Sequence, residues 1–193
     1  MPTINEFGLT REVTLEIANE TSTCMLHFKQ DFIDRYGVNL SNKLISELLG
    51  KMFEVHCERV LTKRLGYEVR KEKSDKEPDL FFTKINKPLE VKLTSTKNAW
   101  TGGEFSKRPF DYLLVSWGGA FDEFFIALVH LEKTDWRSNF ESNFYGPSYS
   151  AKSLSERKDK IILLGSLEKT PRGAVLVKRE KIPNTSGAID QFL

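Results

Sequence analysis

The longest regular pattern in the chain runs over residues 42–65, where Leu44, Ile45, Leu48, Leu49, Met52, Phe53, Val55, His56, Val60 and Leu61 recur mostly at intervals of three and four. That spacing predicts an amphipathic helix with a broad core-facing stripe. Ser41 or Asn42 supplies its N-cap and Gly66 its C-terminal stop. Ahead of it, residues 11–18 and 24–36 read as two helical or mixed segments, and Gly37-Val38-Asn39-Leu40-Ser41-Asn42 as a break. Downstream the period falls to two. Tyr67-Glu68-Val69-Arg70-Lys71 reads as a first strand and Leu80-Phe81-Phe82 as a second. Asn86-Lys87-Pro88 then supplies a reversal, and Leu89-Glu90-Val91-Lys92-Leu93 the returning strand. Residues 111–117 and 124–131 are further strand candidates, although the continuous apolar run of the second leaves a helix open. Ile161-Ile162-Leu163-Leu164 and Ala174-Val175-Leu176-Val177 look like late strands. Helices interleaved with short strands predict an α/β fold with a central mixed β-sheet flanked by α-helices.

Polar positions within this pattern carry the candidate chemistry. Period two puts Glu90 and Lys92 on one strand face, and a hairpin of this size brings Asp79 opposite Glu90. Two carboxylates and an ammonium on neighbouring strands can hold a divalent cation beside a phosphodiester. An alternately charged strand also suits a solvated sheet face in a chain with 29 basic and 27 acidic residues. The order of helix, strand, turn and strand around the charges favours the site over the solvated face.

Pro78-Asp79 followed by Glu90-Val91-Lys92, with Gly50-Lys51-Met52-Phe53-Glu54 in the preceding helix, resembles the signature of the PD-(D/E)xK nuclease superfamily. Residues 94–103 and 111–117 are similar to the segments that follow the catalytic strand in its type II restriction endonucleases, so the resemblance covers residues 42–135. It implies a restriction-endonuclease-like core that uses Mg2+. Asp79 and Glu90 are then the metal ligands, with the Val91 carbonyl as a third. Lys92 orients or deprotonates the attacking water, or neutralises charge on the phosphate, and the sequence does not choose among these. Glu54 becomes a fourth active-site residue, ligating a second metal or holding a metal-bound water, with Glu47 and Glu58 competing for the role from the same helical face. The implied activity is Mg-dependent hydrolysis of double-stranded DNA at a short specific sequence by a homodimer, with a cognate DNA methyltransferase in the same system. A structure-specific repair or junction-resolving nuclease of the same superfamily is an alternative. From another class, so is a non-catalytic DNA-binding subunit that keeps the fold.

At 193 residues the chain fits one domain: a helical extension over 1–40 as the expected dimer surface, a catalytic core over 41–135, and C-terminal strands with a basic DNA-contacting segment over 136–193. The net charge of +2 says little, but its distribution says more. Residues 1–40 hold six acidic and three basic side chains, whereas 151–181 hold four and nine. Lys97, Asn98, Lys107 and Arg108 are the first expected DNA contacts, beside Gly102-Gly103, and Trp100 among them is expected to pack. The second group lies in residues 145–160, a loop followed by Lys152, Arg157 and Lys158. Cys24 and Cys57 have no zinc-ligand spacing and are expected as free thiols, and His27, His56 and His130 form no catalytic pairing. No apolar run is long enough to cross a membrane and the N-terminus does not resemble a signal peptide, so a cytoplasmic protein without a membrane partner is expected.

Overall fold

The computed structural model describes residues 5–71, 77–137 and 146–183. Residues 1–4, Tyr145 at the start of the second expected DNA-contacting loop, and residues 184–193 lie outside the described residues.

Helix α1 (Arg11–Phe28) joins the two segments read separately over 11–18 and 24–36, and a π-helical stretch, Lys29–Asp34, prolongs it. Its Thr21 is buried, yet the hydroxyl donates to the Ile17 carbonyl at 2.8 Å, so this polar residue is satisfied inside the helix. Helix α2 (Asn42–Leu65) starts at Ser41, whose side chain accepts from the Leu44 N–H, and stops at Gly66 in the left-handed region, φ 69°. Its buried stripe is Leu49, Phe53, Glu54, Cys57, Val60 and Leu61. Leu44 and Val55, expected in the core, are instead 47% and 40% exposed, because helical rotation carries them off this narrower face.

The strands are β1 (Val69–Lys71), β2 (Leu80–Phe82), β3 (Lys87–Thr94), β4 (Ala99–Thr101), β5 (Phe110–Trp117), β6 (Glu123–Leu131), β7 (Ser148–Ser150), β8 (Ile161–Leu164), β9 (Ser166–Lys169), β10 (Val175–Lys178) and β11 (Glu180–Lys181), with helix α3 (Ala151–Glu156) after β7. Among the described residues, seven strands form the central sheet in the order β1-β2-β3-β5-β6-β11, with β8 also on β6. Only β3 and β5 pair in parallel, so the sheet is mixed and the fold α/β. The run 124–131 is thus a strand, paired along β5 from Phe124 to Leu131. The reversal before β3 falls earlier than expected: Asn86 takes φ 54°, which lets Lys87 and Pro88 join β3 opposite Phe82 and Phe81. Gly146-Pro147-Ser148-Tyr149-Ser150, expected as a loop, ends in β7, which pairs with β4.

Alternation along β5 builds a core on each face of the sheet. Leu113, Val115 and Trp117 join the core covered by α1 and α2, while Phe110, Tyr112 and Leu114 pack with Trp100, Phe105, Trp136 and Tyr149. Trp100 packs as expected, and its Nε1 donates to the Val115 carbonyl at 2.9 Å. The connection from β3 to β5 holds β4 and a 3-10 turn, Glu104–Lys107. Gly102 anchors that turn: a Cβ there would stand 2.9 Å from the Trp136 ring and from the Ser106 Cβ.

Two substitutions separate packing from backbone cost. Leu113→Ala empties a fully buried position and should lower unfolding free energy by about 2–5 kcal/mol in urea denaturation. Gly66→Ala, with open space around its Cβ, meets only the left-handed backbone penalty and should cost about 1–2 kcal/mol.

Candidate active site

The site begins where β2 and β3 stop pairing. Their register ends at Leu80 opposite Leu89, and Asp79 continues across the gap with its side chain. The Asp79 Oδ2 accepts the Val91 N–H at 2.8 Å, and the Asp79 N–H donates to Glu90 Oε2 at 3.3 Å. Each carboxylate therefore grips the other strand's backbone. A strand residue directs its N–H and C=O to the same edge, so the Val91 carbonyl opens toward Asp79 as well. On the β3 face shared with Tyr112 and Leu114, the Lys92 ammonium donates to Glu90 Oε1.

Asp79, Glu90 and Lys92 line a cavity of about 790 Å³ together with Lys51, Glu54 and Glu58 from α2, Lys71 from β1, and Gly103 and Glu104 from the β3–β5 connection. Gly103 passes close over the ammonium, a Cβ there standing 3.7 Å from Lys92 Nζ. Glu90 is only 4% exposed; burial is the main cause that pushes its carboxyl up to about 7, against the opposing charge of Lys92 and with help from Asp79. Glu54, 6% exposed, is also raised, first by burial and then by Asp79, while Lys51 and Lys71 oppose the shift.

Of the three helical carboxylates, Glu54 is the inner one. Glu47 is exposed beside Lys43, and Glu58 lines the cavity half-buried. Lys51 and Lys71 are the additions that sequence reasoning missed: both ammoniums lie on the Glu54 carboxylate, at 3.1 and 3.4 Å. Lys51 stands three residues before Glu54, one helical turn away, which was the available signal. Among the expected DNA contacts, Lys97, Asn98, Lys107, Arg108, Lys152 and Lys158 are exposed. Lys107 pairs with Glu104, and Arg108 lies over the Phe105 and Phe110 rings at 5.1 and 5.5 Å. Arg157 is engaged internally: it donates to Asp135, to both oxygens of Asp159 and to the His130 carbonyl. His56 is half-buried, and burial disfavours its charged form despite the neighbouring Glu20, while His130 pairs with Asp111 at 2.9 Å. Both stand apart from the cavity lining.

No family model matches the chain, and no curated protein or solved structure is significantly similar to it. The geometry therefore has to carry the chemistry. Among the described residues, no three His, Cys, Asp or Glu side chains converge as a ready ligand cage. What the site offers is the Asp79–Glu90 pair and the Val91 carbonyl, and Mg2+, which retains several waters, needs no more from the protein. The donor set is all oxygen, which suits that ion.

Burial of Glu90 makes the metal-free fold pH-sensitive. A folded carboxyl near 7 binds its proton more tightly than an unfolded one at about 4.3, so stability is present at low pH and declines as pH rises between those values. In chelator, the thermal midpoint of the wild type should fall from pH 5 to pH 8 relative to Glu90→Gln, which carries no charge to desolvate. Parallel profiles for the two proteins would refute this.

Proposed function

We propose that the chain is an Mg2+-dependent endodeoxyribonuclease with a restriction-endonuclease-like core, and specifically a type II restriction endonuclease of the PD-(D/E)xK superfamily acting on double-stranded DNA. The observation that carries this reading is the reciprocal grip of Asp79 and Glu90, with Lys92 on the same carboxylate, at the wall of an open cavity. Asp79, Glu90 and the Val91 carbonyl would hold the ion, which supplies Lewis acidity and an activated water. Asp79 and Glu90 set the position of the reacting phosphate by fixing the strand edges. Lys92 stands beside that position as the proton acceptor or the neutralising cation. A structural site gains nothing from a buried carboxylate, Glu90, set beside the half-buried Asp79 at one strand gap, since burial penalises the Glu90 charge and Asp79 adds to that penalty. This separates the reading from a non-catalytic DNA-binding subunit.

Cutting both strands with one site per chain is most simply done by a twofold dimer. Two of the three acidic residues of α1 are turned to other uses: Glu16 pairs with Arg64 and Glu20 with Arg59. The exposed apolar residues of the expected dimer surface are Phe32, Tyr36 and Val38, with Leu44 just beyond it in sequence. Sedimentation at micromolar concentration should give a dimer, free or with duplex DNA; a monomer in both would remove the dimer from the scheme.

The test of activity is digestion of a sequenced linear phage DNA with magnesium or chelator. Discrete magnesium-dependent fragments are expected, and Asp79→Ala and Lys92→Ala should each lower the rate by about 100-fold or more. Intact DNA with linear duplex but cleavage of branched DNA would select the junction-resolving alternative. Cleavage surviving both substitutions would place the chemistry elsewhere.

A further inference from the structure

Residues 95–98, which follow β3, are exposed, yet every backbone carbonyl from Ser95 to Ala99 accepts a hydrogen bond. The Arg179 guanidinium donates to the Ser95 carbonyl and, at 3.1 Å, to that of Thr96, which also accepts from the Ser116 hydroxyl at 2.7 Å. The Lys97 carbonyl accepts the Val177 N–H at 2.8 Å, the Asn98 carbonyl that of Ala151 at 2.7 Å, and the Ala99 carbonyl the Thr96 hydroxyl at 3.0 Å. Arg179 Nε donates in turn to the Ser116 hydroxyl at 3.0 Å, so one side chain ties the segment to β5.

These bonds decide where the amides point. In a trans peptide the N–H of one residue is directed opposite to the carbonyl of the residue before it, and among the described residues no peptide bond is cis. The Thr96 and Lys97 carbonyls both face the stretch 177–179, so the Lys97 and Asn98 N–H groups both face away from it, toward solvent. Among the described residues neither N–H has an acceptor, whereas the Thr96 N–H is held by the Thr94 hydroxyl at 3.2 Å. Carbonyls turned in and two successive amides turned out give the segment a positive outer edge, an arrangement by which backbone binds anions. Lys97 and Arg179 reinforce it, for among the described residues neither forms an ion pair with a carboxylate. Glu123 acts on Arg179 only from beyond ion-pair distance, and the adjacent Lys178 is already paired with Glu168.

From this geometry we infer that the Lys97 and Asn98 amides, with the Lys97 ammonium, form a phosphate subsite, and that Arg179 is the positioning residue that presents it. The inference rests on the nuclease reading for its source of phosphate, the backbone of the DNA strand that crosses the cavity. Its physical basis, the outward amides, is separate. Ser95 follows Lys92 by three residues, about 10 Å of extended strand, so the phosphate received here lies a few nucleotides from the one that is cut. Main-chain amides read charge and no base edge. The contact therefore sets the register of the strand against Glu90 and Lys92 and is indifferent to sequence. Arg179 does this without touching the phosphate: its planar fork holds the carbonyls that would otherwise turn toward solvent and repel it.

The experiment follows the Lys97 and Asn98 amide resonances by NMR in chelator while inorganic phosphate and, separately, a short duplex DNA of arbitrary sequence are titrated into the full chain. Both resonances should move to saturation with either ligand. Arg179→Lys and Arg179→Met should each weaken the affinity read at these amides by about tenfold or more, since an ammonium lacks the fork that spans three acceptors. Unchanged resonances along α2 show that a variant is folded. Lys97→Met should weaken binding less than either, the amides being left in place. Ser116→Ala removes one bond on the Thr96 carbonyl and one acceptor of Arg179, and it too should weaken binding, which keeps the test open if neither Arg179 variant folds. Amides 97 and 98 indifferent to phosphate in the wild type overturn the subsite. Undiminished binding in Arg179→Lys, or in Ser116→Ala, overturns the positioning role. A response to phosphate but not to the duplex overturns DNA backbone as the ligand. A response to both in a protein that cuts no DNA would instead overturn the nuclease reading and leave the subsite standing.

Discussion

Burial of charge on β3 is the constraint around which the rest is arranged. Glu90 sits on an interior strand, and a carboxylate that deep has to be answered by donors from its surroundings. The answers come from three directions: Lys92 two residues along the strand, the Asp79 backbone across the gap, and the water-accessible cavity. The last two would not be available if β2 continued to pair with β3. The strand gap is therefore what makes the charge tolerable, and it is also what opens the cavity beside it. The same logic governs Glu54, which could not remain on the buried face of α2 without its two lysines.

The elements that position the site were legible where local signals were strong. The α2 pattern, its Ser41 and Gly66 caps, and the facing of Asp79 and Glu90 follow from periodicity and turn chemistry alone. Other features depend on tertiary context. The segments 11–18 and 24–36 read as separate, but Thr21 between them satisfies its hydroxyl on the helix backbone, which composition does not reveal. Leu44 and Val55 fit a helical stripe, yet the stripe that packs is narrower. Arg157 has the composition of a phosphate contact, but Asp135 and Asp159 meet it from elsewhere in the chain. Lys71 was invisible for the same reason, since only the sheet brings β1 beside α2. Long-range pairing of charges is the part that a pattern of single residues cannot supply.

The two faces of the sheet carry different duties. One is covered by α1 and α2 and contributes Glu54 with its lysines; the other is covered by aromatic side chains around Trp136 and bears Glu90 and Lys92 next to Tyr112. The cavity joins the two at the gap beside β3. Chemistry is thus set by strand geometry, which tolerates little movement, while its approaches are set by a helix and a connection.

That connection, from β3 to β5, has a consequence for how such a protein can diversify. Its exposed residues Lys97, Asn98, Lys107 and Arg108 lie outside both the cavity lining and the sheet ladder, so exchanging them leaves the carboxylates where they are. Gly102 is the exception, because the Trp136 ring fills the space of any side chain placed there. A lineage could therefore drift in what this connection contacts while keeping the carboxylates in place, provided one glycine is held constant: the hinge of variation and the gap that seats the charges are different parts of the same strand crossing.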